Sequence, residues 1–219
     1  MEKMSLKVLN LYACLGGNRY KWDEVTDIDV TAIELDPHAA ELYQERFPND
    51  TVIIADAHAY LLEFYKDFDF IWSSPPCPSH SRARFWSYGR NGKRPVYPDL
   101  KLYEEVIFLQ HHFNGKWVVE NVDPYYEPLI PAQKRGHNVF WSNFLIPAHL
   151  TDRKAKICTG ERELQHLKRF HDYDFTKYKG EQNRIKMARN LVCYEVGKRI
   201  FETACGIIHQ RDQRQLQLL

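Results

Sequence analysis

Apolar residues in the first half of the chain fall into short runs separated by segments of helical spacing. Val8-Leu9-Asn10-Leu11-Tyr12 reads as a buried strand ending in the turn Leu15-Gly16-Gly17-Asn18, and Val30-Thr31-Ala32-Ile33 as a second strand. Between residues 37 and 47, Ala40, Leu42, Tyr43 and Phe47 recur at helical intervals, and Pro37 suits a first helical turn. The pattern then predicts a strand at 51 to 55, a helix at 59 to 65, and a strand at 68 to 72 cut off by Pro75-Pro76. A helix at 100 to 113 follows, then a fifth strand at Trp117-Val118-Val119 and a sixth at Val139-Phe140-Trp141.

Strands alternating with helices predict an α/β fold, a mostly parallel sheet with helices on both faces. Ligands in such folds sit at the carboxyl ends of the strands. Those ends carry Gly16-Gly17, Glu34, Asp56, Pro75-Pro76-Cys77 and Glu120-Asn121, all of them polar, Gly, Pro or Cys chemistry. Residues 148 to 186 are polar without a clear period and read as a small insert. Residues 185 to 208 read as one helix with Met187, Leu191, Tyr194, Val196, Ile200 and Ala204 among its apolar positions.

Bulk charge adds little: 30 Lys and Arg against 29 Asp and Glu leave a net charge of +1, so a nucleic-acid footprint must be local. No apolar run approaches the ~20 residues that cross a bilayer, and residues 1 to 7 lack the apolar core of a signal peptide. The expectation is a cytoplasmic protein off the membrane. Its five cysteines, an odd count with no C-x-x-C, suggest neither a disulfide framework nor a paired-cysteine zinc site.

Tyr12-Ala13-Cys14-Leu15-Gly16-Gly17 gives a ligand access to the backbone but is not G-x-G-x-x-G, which disfavours a pyrophosphate dinucleotide. Glu34 ends the second strand, where an acid accepts from ribose hydroxyls. Together they suggest a nucleoside cofactor such as S-adenosylmethionine; alone, the glycines would be a tight turn. Asp56 is suited either to an adenine amino group or to capping the next helix.

In Ser73-Ser74-Pro75-Pro76-Cys77-Pro78-Ser79-His80-Ser81, three prolines stiffen the backbone around one cysteine. That points to Cys77 as a nucleophile whose thiol must ionise, with Arg82 and Arg84 close in sequence. Cys77-x-x-His80 has no partner pair, and Cys158, His166 and His171 match no common zinc spacing, so no metal is expected. Glu120 follows a strand directly, where burial raises a carboxyl pKa and makes it a proton donor at neutral pH. Arg135, in Gln133-Lys134-Arg135-Gly136-His137, suits an oxyanion or carbonyl oxygen.

Taken in order, these segments resemble the DNA cytosine-5 methyltransferases from residue 7 to about 205. Leu9 to Gly17 is similar to the family's D-L-F-A-G-x-G-G loop, with Asn10, Tyr12 and Cys14 substituted. Glu34-Leu35-Asp36 matches the ribose-binding acid and Asp56 the adenine-side Asp. Residues Pro75 to Ser81 resemble P-P-C-Q-x-F-S, with Pro78 and His80 departing, and Glu120-Asn121-Val122 matches E-N-V. Residues 133 to 137 resemble Q-x-R-x-R with His137 for the last Arg. Arg184-Ile185-Lys186 and Asn190-Leu191-Val192 resemble the closing R-I-x and G-N-x-V, with Arg189 in place of Gly.

The resemblance implies a Rossmann-like S-adenosylmethionine-dependent methyltransferase core over residues 1–147 and 184–208. It also implies a small basic insert at 148–183 in place of a target-recognition domain, and a polar tail at 209–219. The implied donor site is Tyr12, Ala13, Gly16, Gly17, Glu34, Leu35, Asp56, Ala57, Pro75, Asn190 and Val192, with Tyr12 stacking on adenine. The implied catalytic set is Cys77, Glu120, Arg135 and Gln133. In it Cys77 attacks C6 of a flipped cytosine, Glu120 binds N3 and the amino edge, and Arg135 fixes the O2 side.

Arg189 near the donor raises the expectation of an acidic donor variant. DNA contacts are expected from Ser81, Arg82, Arg84, Trp86, Arg90, Lys93 and Arg94, with Phe85 and Tyr88 interleaved, and from the insert. So small an insert implies a short or relaxed target, DNA as substrate, a specificity-supplying partner protein, and a monomer or homodimer. The alternatives are an RNA cytosine-5 enzyme and a catalytically silent binding homologue. An amino-methyltransferase fits Ser74-Pro75-Pro76 but not Cys77 or Glu120-Asn121.

Overall fold

The computed structural model describes residues 5–82, 96–155, 160–210 and 212. Seven strands form one sheet: β1 (Leu6–Leu11), β2 (Ile28–Glu34), β3 (Thr51–Ile54), β4 (Phe70–Ser73), β5 (Lys116–Val122), β6 (Gln133–Arg135) and β7 (Asn138–Ser142). Their order is β3-β2-β1-β4-β5-β7-β6. The helices are α1 (Pro37–Arg46), α2 (Ala57–Phe64), α3 (Lys101–His112), α4 (Glu161–His171), α5 (Arg184–Asn190) and α6 (Tyr194–Ala204).

The central strands are apolar on both faces, which is why their sequence shows runs and not alternation. Leu9, Leu11, Ile71, Val119 and Trp141 point to one face, packed on Leu61 of α2 and Leu102, Val106 and Leu109 of α3. Val8, Phe70, Trp72, Val118 and Phe140 point to the other, packed on Trp22 and on Ile200 and Phe201 of α6. The expected helix-covered α/β sheet is thus present.

The sheet is mostly parallel, as expected, and two features at its far edge add to that picture. β7 runs antiparallel to β5 and to β6, so the sheet is parallel only from β3 to β5. β6 was not foreseen, because its three residues are polar and lie at the sheet edge. Its signal was the two-residue link Gly136-His137 between Arg135 and Asn138, with Gly136 at φ 63, a hairpin turn geometry.

The second half is more ordered than its pattern suggested. Segment 148–183 contains α4, whose Leu164 and Leu167, with Phe175 and Tyr178, are buried on Leu15 and on Ala39 and Leu42 of α1. It therefore shares its apolar cluster with the core. The single helix expected over 185 to 208 is two, broken at Leu191, where the backbone turns extended at φ −72 and ψ 126. The break lets Leu191 and Val192 sit on Gly17: a Cβ there would lie 2.4 Å from the Val192 carbonyl oxygen and 2.5 Å from Leu191 Cγ. Gly17→Ala is therefore expected to lower the unfolding free energy by about 1–3 kcal/mol, measured by urea denaturation.

Candidate functional site

The chain leaves β1 through an unusual turn, with Tyr12, Cys14 and Gly16 at φ 56, 48 and 67. Left-handed backbone is unfavourable for residues with a Cβ, and two acids hold it. Glu34 Oε2 accepts from the Cys14 amide at 2.7 Å, while Oε1 accepts from the amides of Leu35 and Asp36 at 2.9 and 2.8 Å. Glu105 Oε1 accepts from the Tyr12 hydroxyl at 2.6 Å. Burial raises the Glu34 carboxyl despite its three amide donors.

Asp56 caps α2 through Oδ1, which accepts from Ala59 at 2.8 Å. The capping reading of Asp56 is correct, and Oδ2 remains for a ligand. Gly16 faces Phe47 and Tyr43, whose rings lie 2.3 and 2.8 Å from a Cβ built there. Both glycines serve packing, and neither lines the cavity described next.

A cavity of about 1610 Å³ opens at the carboxyl ends of the parallel strands. Of the residues expected at a donor site, Tyr12, Ala13, Glu34, Leu35, Asp56, Ala57, Pro75, Asn190 and Val192 line it. Cys77, Glu120 and Arg135 line the same cavity. Glu34 and Asp56 offer spare carboxylate acceptors, and His38, also on the wall, has a buried Nδ1 without a partner among the described residues. These groups suit ribose hydroxyls and an adenine amine, so S-adenosylmethionine fits the residues present.

The nucleophile loop is stitched to the end of β5. Asn121 Nδ2 donates to the Pro75 carbonyl at 3.0 Å, and the amides of His80 and Ser81 both donate to the Cys77 carbonyl at 3.0 Å. Tyr125 N donates to His80 O, and Ser81 bridges to Pro124. Arg82, expected on nucleic acid, donates to Pro124 O at 2.9 Å and pairs with Asp123 at 3.1 Å, so it fastens this loop. Arg84, Trp86, Arg90, Lys93 and Arg94, with Phe85 and Tyr88, lie outside the described residues.

Burial and the Glu120 charge push the Cys77 thiol up, and the cation opposing them is Lys186 of α5. Sequence spacing gave no hint of Lys186, because α5 comes from a segment far along the chain. Burial raises Glu120 to about 7, against hydrogen bonds from Asn138 and Ser74 that favour its charged form. Asn138 Nδ2 donates to Glu120 Oε1. Its signal was the hairpin: Phe140 pairs with Glu120, and Asn138 lies two residues along on the same strand face.

Arg135 and Gln133 are both hydrogen-bonded within the chain. Arg135 spends three N–H groups on the carbonyls of Lys134, Ile146 and Pro147. Gln133 donates to Ser142 Oγ and Phe144 O and accepts from Ile146 N, away from the cavity. Both brace the chain leaving β7. His137, next to Arg135 in the turn, also lines the cavity. Arg189 grips Glu163 of α4 through Nε and Nη2 at 2.6 and 2.7 Å, so its charge has a partner within the chain. That removes the ground for an acidic donor variant. Among the described residues no His, Cys, Asp or Glu group could hold a metal, and no helix is long and apolar enough to cross a membrane.

Residues 6–125 match the family described as C-5 cytosine-specific DNA methylase. No curated protein matches the chain. Among solved structures, a DNMT2 variant from Spodoptera frugiperda is 25% identical, over 54% of this chain and 36% of that one, with a TM-score of 0.40. A methyltransferase from Entamoeba histolytica is 14% identical over 55% and 39%, at a TM-score of 0.36. A TehB-like SAM-dependent methyltransferase from Corynebacterium glutamicum is 15% identical over 56% and 58%, also at 0.36. The chain spans less than two fifths of the length of the first two.

The electrostatics of Cys77 predict opposite effects for its two neighbours. Lys186→Gln should raise the Cys77 thiol further and slow its alkylation at pH 8 by roughly threefold or more. Glu120→Gln should lower it and speed the reaction. Iodoacetamide labelling across pH, with the Cys77 peptide followed by mass spectrometry, measures both.

Proposed function

The chain belongs to the C-5 cytosine-specific DNA methylase family, whose methyl donor is S-adenosylmethionine, and we propose that it methylates C5 of cytosine in DNA. The observation that carries this reading is one cavity walled by Cys77, Glu120, Glu34 and Asp56 together. A silent homologue has no need of a half-buried thiol and a buried carboxyl at one such wall. Glu34 and Asp56 would hold the ribose and adenine of the donor, with Leu35, Ala57 and Val192 as apolar walls.

In the proposed reaction a flipped cytosine enters beside Cys77. Above the Glu120 value of about 7 the Cys77–Glu120 pair holds one proton. When that proton is on Glu120, the Cys77 thiolate attacks C6 and Glu120 delivers the proton to N3, leaving a neutral enamine. S-adenosylmethionine, when bound, supplies an electrophilic methyl group to C5. Loss of the C5 proton to solvent then expels Cys77 as thiolate, and return of the N3 proton to the Glu120 carboxylate leaves neutral, aromatic 5-methylcytosine.

Attack requires one proton on the pair, and the doubly protonated form is inert. The rate of adduct formation should therefore rise as pH passes through about 7, the Glu120 value. It should then stay level until the thiol itself ionises. Glu120→Gln should remove the limb near 7 and slow attack by roughly 10²–10⁴-fold, followed by quench-flow across pH.

With 5-fluorocytosine in the substrate the C5 substituent cannot leave, and a covalent adduct should accumulate on Cys77. Mass spectrometry finding it on Cys14, or finding none with an enzyme active on ordinary cytosine, overturns the assignment of the nucleophile. Labelled methyl transfer to DNA but not to tRNA is the expected substrate result.

Specificity should be short or relaxed, with phosphate contacts dominating affinity and binding that weakens steeply as salt rises. Bisulfite sequencing of treated DNA should find methylation at sites defined by about one to three bases. A unique longer site, read without a partner, would refute it.

A further inference from the structure

Glu105 of α3 is fully buried, yet it sits among apolar neighbours Leu102, Val106 and Leu109 on a helix that needs no charge to pack. A buried carboxylate is costly unless its oxygens are satisfied, and an apolar residue of similar size is often equally stable. Its partners explain the choice. Oε1 accepts from the Tyr12 hydroxyl at 2.6 Å and meets His58 Nδ1 at 3.2 Å, and Oε2 accepts from Ser73 Oγ at 2.6 Å.

Tyr12 lines the cavity, and the other two partners each sit one residue from a lining residue, Ser73 beside Ser74 and His58 beside Ala57. Tyr12 is the strained residue after β1 and forms part of the wall. Ser73 ends β4, next to Ser74, whose hydroxyl hydrogen-bonds Glu120, and four residues before Cys77. His58 follows Asp56 and Ala57 in the first turn of α2. One carboxylate thus joins the ends of β1 and β4 to the start of α2. An O–H donor to a carboxylate at this length is a strong hydrogen bond, and here it sets the angle of a ring whose backbone is held left-handed.

We propose that Glu105 is a positioning residue for the methyl donor: it fixes the Tyr12 ring as a wall of the donor site and ties that wall to the strand presenting Cys77. The proposal rests on reading this cavity as the donor site. It makes Tyr12 more than a replacement for an aromatic ring, because the hydroxyl supplies the anchor.

The test titrates S-adenosylmethionine into the full chain and its variants by calorimetry, with steady-state kinetics alongside. Glu105→Gln keeps the shape but cannot accept from all three donors. It should weaken donor binding by roughly tenfold and raise the donor KM by more than it lowers kcat at saturating donor, with the nucleic-acid KM within about twofold of wild type. Tyr12→Phe should weaken donor binding too. In that background Glu105→Gln should add less than about twofold, the non-additivity expected of one shared interaction.

Wild-type donor affinity in a folded Glu105→Gln protein, or fully additive effects, overturns the proposal. Should Glu105→Gln not fold, Tyr12→Phe carries the test alone, and an unchanged donor KM in that variant overturns it equally. Glu34→Ala separates the two levels of inference. If it weakens donor binding while Glu105→Gln does not, only the role of Glu105 is lost. If neither does, the donor-site reading falls and this proposal with it.

Discussion

The left-handed turn after β1 is the constraint on which the site depends. Tyr12 and Cys14 are not glycines, and each costs about 1–2 kcal/mol in that conformation. Such strain persists only where the surroundings over-determine it. Here Ala13 N is fixed to the Ile33 carbonyl, Cys14 N to Glu34, and the Tyr12 hydroxyl to Glu105. The turn therefore exists only because β2 and α3 deliver acids to it. In exchange, it drops Gly16 against Tyr43 and Phe47 and leaves Tyr12, Ala13 and Cys14 on the cavity wall.

From Glu34 the same polar chain continues into the second half of the molecule. Glu34 orders the amide of Asp36, and Asp36 caps α1 through the amides of His38 and Ala39. The other oxygen of Asp36 accepts from Tyr178. Segment 148–183 is thus fastened to the α1 side of the cavity by a hydrogen bond as well as by Leu164, Leu167 and Phe175. The Arg189–Glu163 pair locks α5 to α4, so a substitution that looked like a cofactor contact is an interhelical tie. Segment 148–183 therefore serves as part of the core.

Strands β1, β2, β4 and β5 were legible because burial on both faces forces apolar runs, β3 because its edge run is β-branched, and the strand-end residues followed from topology alone. Cys77 and Glu120 were legible because proline density and a carboxylate directly after a strand are uncommon. What escaped notice depends on pairing across distance. Glu105 sits inside an ordinary amphipathic helix, and only the fold brings Tyr12 and Ser73 to it. Lys186 acts on Cys77 through its charge from a helix more than a hundred residues later. α4 has few apolar positions, so its period was masked by Arg, Lys, Glu and His. The carbonyls that Arg135 binds, those of Ile146 and Pro147, likewise come to it only through the fold.

Burial acts on Cys77 and Glu120 in the same direction, favouring the neutral form of each. For a thiol nucleophile alone this would be a handicap, since each unit of upward shift removes about 1.4 kcal/mol of thiolate stability. Beside a carboxyl poised near neutrality the balance changes. In the proposed attack the negative charge leaves Sγ for the ring as the Glu120 proton reaches N3, so the ring gains no net charge. The carboxylate left behind keeps the hydrogen bonds of Asn138 and Ser74, which favour its charged form. The low-dielectric cavity that makes the thiolate scarce thus favours a transition state in which the charge passes to a carboxylate already solvated by protein donors.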